Sequence, residues 1–131
     1  MVRTKQLYVA LPHKVGQMAK VSTTLAEAGV NVLALSVVES TEMGTLRLVV
    51  NKPKEGAAAL KAAGMTVSQM DVLMLAVPNT VGMLAEVCDR LAAKKINISF
   101  AYGSTGRGRG AAHIVLACDS LARARRALAD F

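Results

Sequence analysis

With 131 residues, of which 53% are hydrophobic, the chain is too apolar for an intrinsically disordered protein and long enough for one ordinary domain or two small ones. Its net charge of +7 fits a solvated basic surface, while an aromatic content of 3% leaves few rings to stack on nucleic-acid bases. No apolar stretch is long enough for a signal peptide or a membrane span. Cys88 and Cys118 form no Cys-x-x-Cys pair and should be buried thiols, so we predict a cytoplasmic protein.

The first half of the chain predicts four strands and two helices from its apolar periodicity and turn residues. Pro12 cannot donate to a strand ladder and should end the first strand, and Gly29 suits the left-handed end of the first helix. Asn51 or Lys52 can cap the second helix. In order, the predicted elements are a strand at 4–11, a helix after Gly16, a strand at 30–38, a turn at 40–44, a strand at 45–50, a helix from Pro53 to Gly64 and a strand at 65–70.

The second half predicts the same order of elements up to its last helix, which Asp119 should cap. Its elements are a strand at 72–77, a helix after Gly82, a strand at 96–102, a hairpin tip at 103–110, a strand at 112–118 and the last helix. No strand follows that helix in the sequence, so the second copy is predicted to lack a fourth strand of its own.

The two halves repeat each other at an offset of 66 residues, from Pro12 to Pro78. Identical residues at that offset are Pro12/Pro78, Val15/Val81, Gly16/Gly82, Ala19/Ala85, Val21/Val87, Leu25/Leu91, Ala26/Ala92 and Asn31/Asn97. The repeat predicts an α+β fold made of two tandem ferredoxin-like βαββαβ modules, at residues 1–69 and 70–131.

Without a fourth strand in the second module, the apolar strand 72–77 would leave unpaired backbone groups along its edge. Its partner should be either Gln6–Leu11 or the same region of a second copy of the chain. The strand at 30–38 also carries apolar residues on both faces, so we expect a homodimer.

The sequence Pro-x-x-Val-Gly, then a helix, then Gly-Val-Asn-Val or Lys-Ile-Asn-Ile, resembles the ACT domain family. That resemblance implies paired regulatory modules that bind an amino acid or a related carboxylate, are not enzymes and control a metabolic enzyme or regulator. Glycine and the free N–H groups at a helix start suit a carboxylate. The resemblance implies these ligand-binding residues: Val15, Gly16, Gln17, Met18, Asn31, Val32, Val81, Gly82, Met83, Leu84, Asn97 and Ile98.

Simpler interpretations of the same residues stay open. The two glycine loops can be plain tight turns, and Asn31 and Asn97 can serve only to close a turn by hydrogen bonding. His13 is replaced by Asn79 in the second loop, which argues against identical ligand contacts in the two modules, and His113 is expected to be structural. No His, Cys or carboxylate spacing predicts a metal, and we predict no cofactor.

Three other functions are alternatives to amino-acid binding. An RNA-binding module would need aromatic residues where Arg47, Val49, His113 and Val115 stand, so nucleic acid is not expected as a partner. An enzyme of the acylphosphatase type would need an arginine in the first loop, but this chain has Lys14 there and Thr80 in the repeat, so this activity is not expected. The Gly- and Arg-rich stretch at 103–110 joins two strands and matches no nucleotide-binding motif, which favours a plain basic hairpin tip. A protein-interaction module without a small-molecule ligand stays open.

Overall fold

A computed structural model describes residues 1–38, 43–105 and 111–131. Within those residues the chain forms six antiparallel strands and four helices, which confirms the predicted α+β class. In chain order they are β1 (Val2–Pro12), α1 (Gln17–Glu27), β2 (Val32–Val38), β3 (Met43–Val50), α2 (Pro53–Ala62), β4 (Val67–Pro78), α3 (Met83–Ala93), β5 (Ile98–Thr105), β6 (Ala111–Cys118) and α4 (Leu121–Ala127). Most of the predicted turn at 40–44 and of the hairpin tip at 103–110 lies outside the described residues.

The chain divides into two compact units. The first unit comprises Lys5–Met70, and the second unit comprises Met1–Thr4 together with Asp71–Phe131. The division into modules 1–69 and 70–131 describes the sequence repeat and stays a prediction.

In the first unit, β3 lies between β1 and β2. Leu46 is the register partner of both Val9 on β1 and Val37 on β2. Alternate strand residues and the apolar faces of α1 and α2 form one core, as period-2 strands packed on amphipathic helices should. Its buried members are Leu7, Val9, Leu11, Val21, Leu25, Val30, Leu46, Leu48, Val50, Ala57 and Leu60.

The second unit repeats this plan, with β6 between β4 and β5. Ile114 on β6 is the register partner of Leu75 on β4 and of Gly103 on β5. The helices α3 and α4 supply the other half of the core. Its buried members are Leu73, Leu75, Val77, Val87, Leu91, Ile96, Leu116, Ala124 and Leu128.

The separate strands predicted at 65–70 and 72–77 are a single strand, β4, of 12 residues. No Gly, Pro or Asn interrupts the chain between Val67 and Val77, so nothing turns the backbone there. Residues 67–70 belong to the first unit, where Ala10 N donates to Thr66 O at 3.1 Å just before β4 begins.

The predicted partner of strand 72–77 inside the chain was the first strand, at Gln6–Leu11; the sheet order confirms the strand, and the range stays a prediction. The part of β1 that belongs to the second unit is Met1–Thr4, and β1 and β4 are neighbouring strands. Arg3 on this segment forms an ion pair with Asp71 at 2.8 Å, and Met1 packs against the core of the second unit. The N-terminal segment is thus part of the second unit.

Of the two predicted helix caps, the position of the first is confirmed at Lys52, and the second, Asp119, was wrong. Lys52 occupies the N-cap position of α2 without a side-chain cap, and the side chain of Asn51 is bonded elsewhere. At α4 the cap is Ser120, whose Oγ accepts a hydrogen bond from the Arg123 N–H at 3.3 Å. In both cases the preceding Asn or Asp side chain, which could also cap, is used by the start of a neighbouring strand.

Candidate functional site

Each strand–helix loop ends in a glycine with a left-handed backbone. Gly16 has φ 89° and Gly82 has φ 87°, and each is the N-cap of the helix that follows. An added Cβ at either position would meet nothing within 4 Å, so backbone conformation rather than crowding requires glycine there. The glycine of each repeated Val-Gly pair thus supplies the left-handed backbone conformation from which the helix begins.

Neither helix start carries a side-chain cap. The first bonds of the α-helical ladders run from Lys20 N to Gly16 O at 3.0 Å and from Glu86 N to Gly82 O at 2.9 Å. The N–H groups before those donors have no acceptor within the helical ladder, and the helix dipole places partial positive charge there. This arrangement suits the carboxylate of a small molecule.

In the first unit the loop borders a pocket of about 350 Å³. The pocket lies where the end of β1, the start of α1 and the adjoining ends of β2 and β3 meet. Its lining residues are Leu11, Pro12, His13, Lys14, Gly16, Gln17, Met18, Ala19, Val37 and Gly44.

In the second unit a pocket of about 320 Å³ occupies the equivalent place. It lies on the helix side of the sheet, since Ala112 and Ile114 in its lining also pack against the core between sheet and helices. Its lining residues are Val77, Pro78, Asn79, Thr80, Met83, Leu84, Ala101, Tyr102, Gly103, Ser104, Ala112, His113 and Ile114.

The predicted site residues of the helix starts fall into two groups. Gly16, Gln17 and Met18 line the first pocket, and Met83 and Leu84 line the second. The two valines of the Val-Gly pairs point into solvent instead, with relative exposures of 101% for Val15 and 107% for Val81, and neither lines a pocket. Gly82 precedes the second pocket's helical residues without lining it.

The predicted residues of the second strands lie at the other end of each unit. In the first unit β2 starts beside the end of β3, with Val32 opposite Val50, while Pro12 lies opposite Met43 at the far end. Val32 and Ile98 pack against the cores of their units. Within one unit, the structure therefore does not bring Asn31 or Asn97 to the pocket beside the glycine loop.

The backbones of Asn31 and Asn97 close the same pair of hydrogen bonds in each unit. The Asn31 N–H donates to Oδ1 of Asn51 at 2.8 Å, and the Asn51 N–H donates to the Asn31 carbonyl at 3.0 Å. The corresponding bonds between Asn97 and Asp119 are 3.3 Å and 3.1 Å. These bonds explain why the side chains of Asn51 and Asp119 do not cap helices. They involve only the backbone of Asn31 and Asn97, whose exposed side chains take no part in them.

Sequence reasoning missed the edge-strand wall of the second pocket. Ala101 and Gly103 belong to this wall, and at the repeat offset they stand where the first module has Leu35 and Val37. Aligning the two copies beyond the glycine loop would have shown that large apolar residues are replaced by small ones.

Three of the four positions where an RNA-binding module would need aromatic residues carry packed side chains. Val49 and Val115 are buried, at 0% and 1% exposure. Arg47 lies over the Tyr8 ring, 5.5 Å from its centroid, and donates to the Tyr8 hydroxyl at 3.2 Å. A stacked pair, Phe100 and Tyr102, lies on β5, with ring centroids 6.3 Å apart.

The groups whose pKa is shifted lie outside the glycine loops. Arg90 on α3 pairs with Asp130 at 2.7 Å and with Glu86 at 2.8 Å. The hydrogen bond from Arg90 lowers the pKa of Asp130, and burial raises the pKa of the Cys118 thiol. Neither Asp130 nor Cys118 is among the described residues that line the two loop pockets, so neither indicates acid–base catalysis at the loops.

The described residues hold neither a metal-binding cluster nor a membrane-spanning helix. In residues 1–38, 43–105 and 111–131, no group of three His, Cys, Asp or Glu residues is placed to hold a metal ion. Over the same residues, no helix combines the length and hydropathy needed to cross a bilayer.

Two ferredoxin-like units, each with a pocket beside a strand–helix glycine loop, define a tandem pair of small α+β modules. The family model described as an ACT domain pair matches residues 2–130. The chain therefore belongs to the ACT domain family, as the sequence resemblance predicted. No curated protein matches it.

Solved structures show the same fold over nearly the whole chain. The protein BT0572 of Bacteroides thetaiotaomicron is 29% identical, with a TM-score of 0.91, and the match covers 98% of this chain and 88% of that one. The regulatory subunit of aspartate kinase from Thermus thermophilus is 17% identical, with a TM-score of 0.69 and coverage of 99% and 97%. The aspartokinase alpha and beta subunits match at 17% identity, with a TM-score of 0.63 and coverage of 99% and 96%.

Proposed function

We propose that this protein is a non-enzymatic regulator that binds a small amino acid, or a related carboxylate, beside its strand–helix loops. The observation that carries the proposal is the uncapped helix start, repeated in both units next to a pocket of about 320 or 350 Å³. Pockets for small molecules generally span roughly 300–1,000 Å³, so these two suit a ligand the size of an amino acid.

The ligand's α-carboxylate would accept hydrogen bonds from first-turn N–H groups of α1 or α3 that the helical ladder does not use; at α3 the Met83 N–H already donates to Thr80 O at 3.2 Å, so the groups that follow it would serve. A charged acceptor strengthens such bonds, and the helix dipole adds to the attraction. The left-handed glycine keeps the approach open because it has no side chain. Membership of the ACT domain family supports this role, since ACT domains are regulatory modules.

We propose that the regulated partner is a metabolic enzyme or a regulator of one. Support comes from the kind of protein that shares the fold: the Thermus thermophilus neighbour is a regulatory subunit of aspartate kinase. The free cysteines Cys88 and Cys118 are consistent with work in the cytoplasm, where thiols stay reduced.

A homodimer is the proposed assembly. The edge strand β2 of the first unit exposes a row of apolar side chains: Leu33 at 49%, Leu35 at 52%, Val37 at 47% and Val38 at 47%. Such a strand invites pairing with another chain unless it is covered. Sedimentation at micromolar concentration tests this point, and a monomeric mass without association would contradict it.

A thermal-shift screen against the twenty amino acids tests the central proposal. A ligand at a hundredfold excess over its Kd stabilises the folded state by about 2.7 kcal/mol. At about 2–8 °C per kcal/mol, the melting temperature should rise by roughly 5 °C or more. A screen in which no amino acid raises the melting temperature would reject free amino acids as ligands and favour a protein-interaction module.

A further inference from the structure

The two pockets occupy equivalent places but have different walls. On the edge strand of the first unit, Val37 lines the pocket, whereas the second pocket has Gly103 at the equivalent position. Two residues earlier on the same strand, the second unit has Ala101 where the first has Leu35. Ala101 lines the second pocket, whereas Leu35 does not line the first. At the edge strand, the first pocket is therefore bordered by a branched residue and the second by a glycine and an alanine, while the two pockets have similar volumes.

The open wall of the second pocket is backbone. A Cβ built on Gly103 would lie 2.3 Å from the carbonyl oxygen of His113, so this position admits no side chain. Ala101 adds only a methyl group beside it. The space between this wall and the start of α3 is therefore free to receive a side chain from outside the protein.

The chemistry of the two linings also differs. The first pocket carries Lys14, His13 and Gln17 near its loop. Among the described residues that line the second pocket there is no Lys, Arg, Asp or Glu. Its polar lining residues are Asn79, Thr80, Tyr102, Ser104 and His113, and Met83, Leu84 and Ile114 give it an apolar surface. Leu84 lines the pocket and is 58% exposed, so it presents apolar surface that a ligand's side chain would cover.

We propose that the second unit's pocket alone holds the ligand's side chain, and that this side chain is uncharged and aliphatic, between valine and methionine in size. The inference rests on the proposed function and adds the ligand class and the unit used. A charged side chain would lose its hydration without finding an opposite charge in this lining. Each methylene buried there improves affinity about fourfold.

Calorimetry with alanine, valine, leucine, methionine, aspartate and lysine tests the ligand class. Affinity should rise from alanine through valine to leucine, and aspartate and lysine should bind at least tenfold more weakly than leucine. Tighter binding of aspartate or lysine than of leucine would overturn the inference while leaving the proposed function intact. Failure of all twenty amino acids to bind would instead reject the proposed function, and this inference with it.

A substitution in the second pocket tests whether that unit is used. Ala101→Leu installs in the second unit the residue that the first module has, and it should weaken leucine binding at least tenfold. Leu35→Ala makes the reverse change in the first unit, outside its pocket, and is the control that should leave leucine affinity unchanged. Because Ala101 is exposed, the fold should tolerate the larger side chain, and circular dichroism checks this.

A second substitution keeps the test decisive if Ala101→Leu unfolds the protein. Leu84→Ala removes apolar wall from a half-exposed position and should weaken leucine binding severalfold. Wild-type leucine affinity in Ala101→Leu or in Leu84→Ala, or loss of binding in Leu35→Ala, would place the ligand elsewhere and overturn the inference.

Discussion

Substituting Gly82 by valine separates the role of this residue in binding from its role in folding. Gly82 has φ 87°, and a Cβ there would meet nothing within 4 Å. The cost to the fold is therefore backbone strain, about 1–2 kcal/mol for an L-residue in a left-handed conformation and somewhat more for a β-branched one. A protein of ordinary stability, about 5–15 kcal/mol, should survive this loss.

The chain offers a matched control in Gly64, which follows α2 with φ 85° and the same open space around a built Cβ. Gly64→Val should cost the same stability in urea unfolding but leave amino-acid binding intact. Gly82→Val should abolish binding, because its isopropyl group stands at the start of α3 where the carboxylate would approach. Retained affinity in Gly82→Val, or equal loss of affinity in both variants, would refute the reasoning.

Three further predictions concern the second unit. Lys95 has φ 56°, where the first copy has Gly29 with φ 71°, so Lys95→Gly should raise the unfolding free energy by about 0.5–1 kcal/mol; an unchanged urea midpoint would contradict this. Gly103→Ala should cost about 1–3 kcal/mol or more in the same assay, since the obstacle 2.3 Å away is backbone and cannot rotate aside; a loss below about 0.5 kcal/mol would argue against it. The pKa of Asp130 lies below its usual 3.8 in the folded state because Arg90 donates a hydrogen bond to it, so its stabilising contribution is full above that value and disappears as pH falls through the lower, folded pKa. Asp130→Asn should therefore lose less stability than the wild type between pH 6 and pH 2.5, and identical losses would exclude the pairing.

The order of helices and strands was predictable because the sequence repeat encodes it twice. A proline that ends a strand and a glycine that starts a helix act through local backbone geometry. The structural roles of Pro12 and Gly16 could therefore be predicted without knowledge of the fold. The left-handed φ at Gly29 follows from the same local rule.

Features that depend on non-local pairing were not predictable from the residues. Nothing in Met1–Thr4 marks it as the strand beside the second half of β4, because the pairing joins residues about seventy positions apart. The side chain of Asn51 has an equally good local use as a helix cap, and only the placement of β2 beside the end of β3 shows that it accepts from Asn31.

The walls of the pocket were partly predictable. The residues around Gly82 followed from the repeat, whereas Ala101 and His113 come from another hairpin, and the register of β5 on β6 brings them there. The replacement of Leu35 by Ala101 was visible in the sequence, but its meaning depends on knowing that both residues lie on an edge strand facing the helices.

The most direct test of amino-acid binding at the helix start is a leucine titration of the ¹⁵N-labelled protein, followed through its backbone amide signals. The account predicts saturable shifts of the Met83 and Leu84 amides, with the amides of Gln17 and Met18 unchanged. Saturable shifts confined to residues outside both strand–helix loops, or no shifts with leucine or any other amino acid, would contradict it.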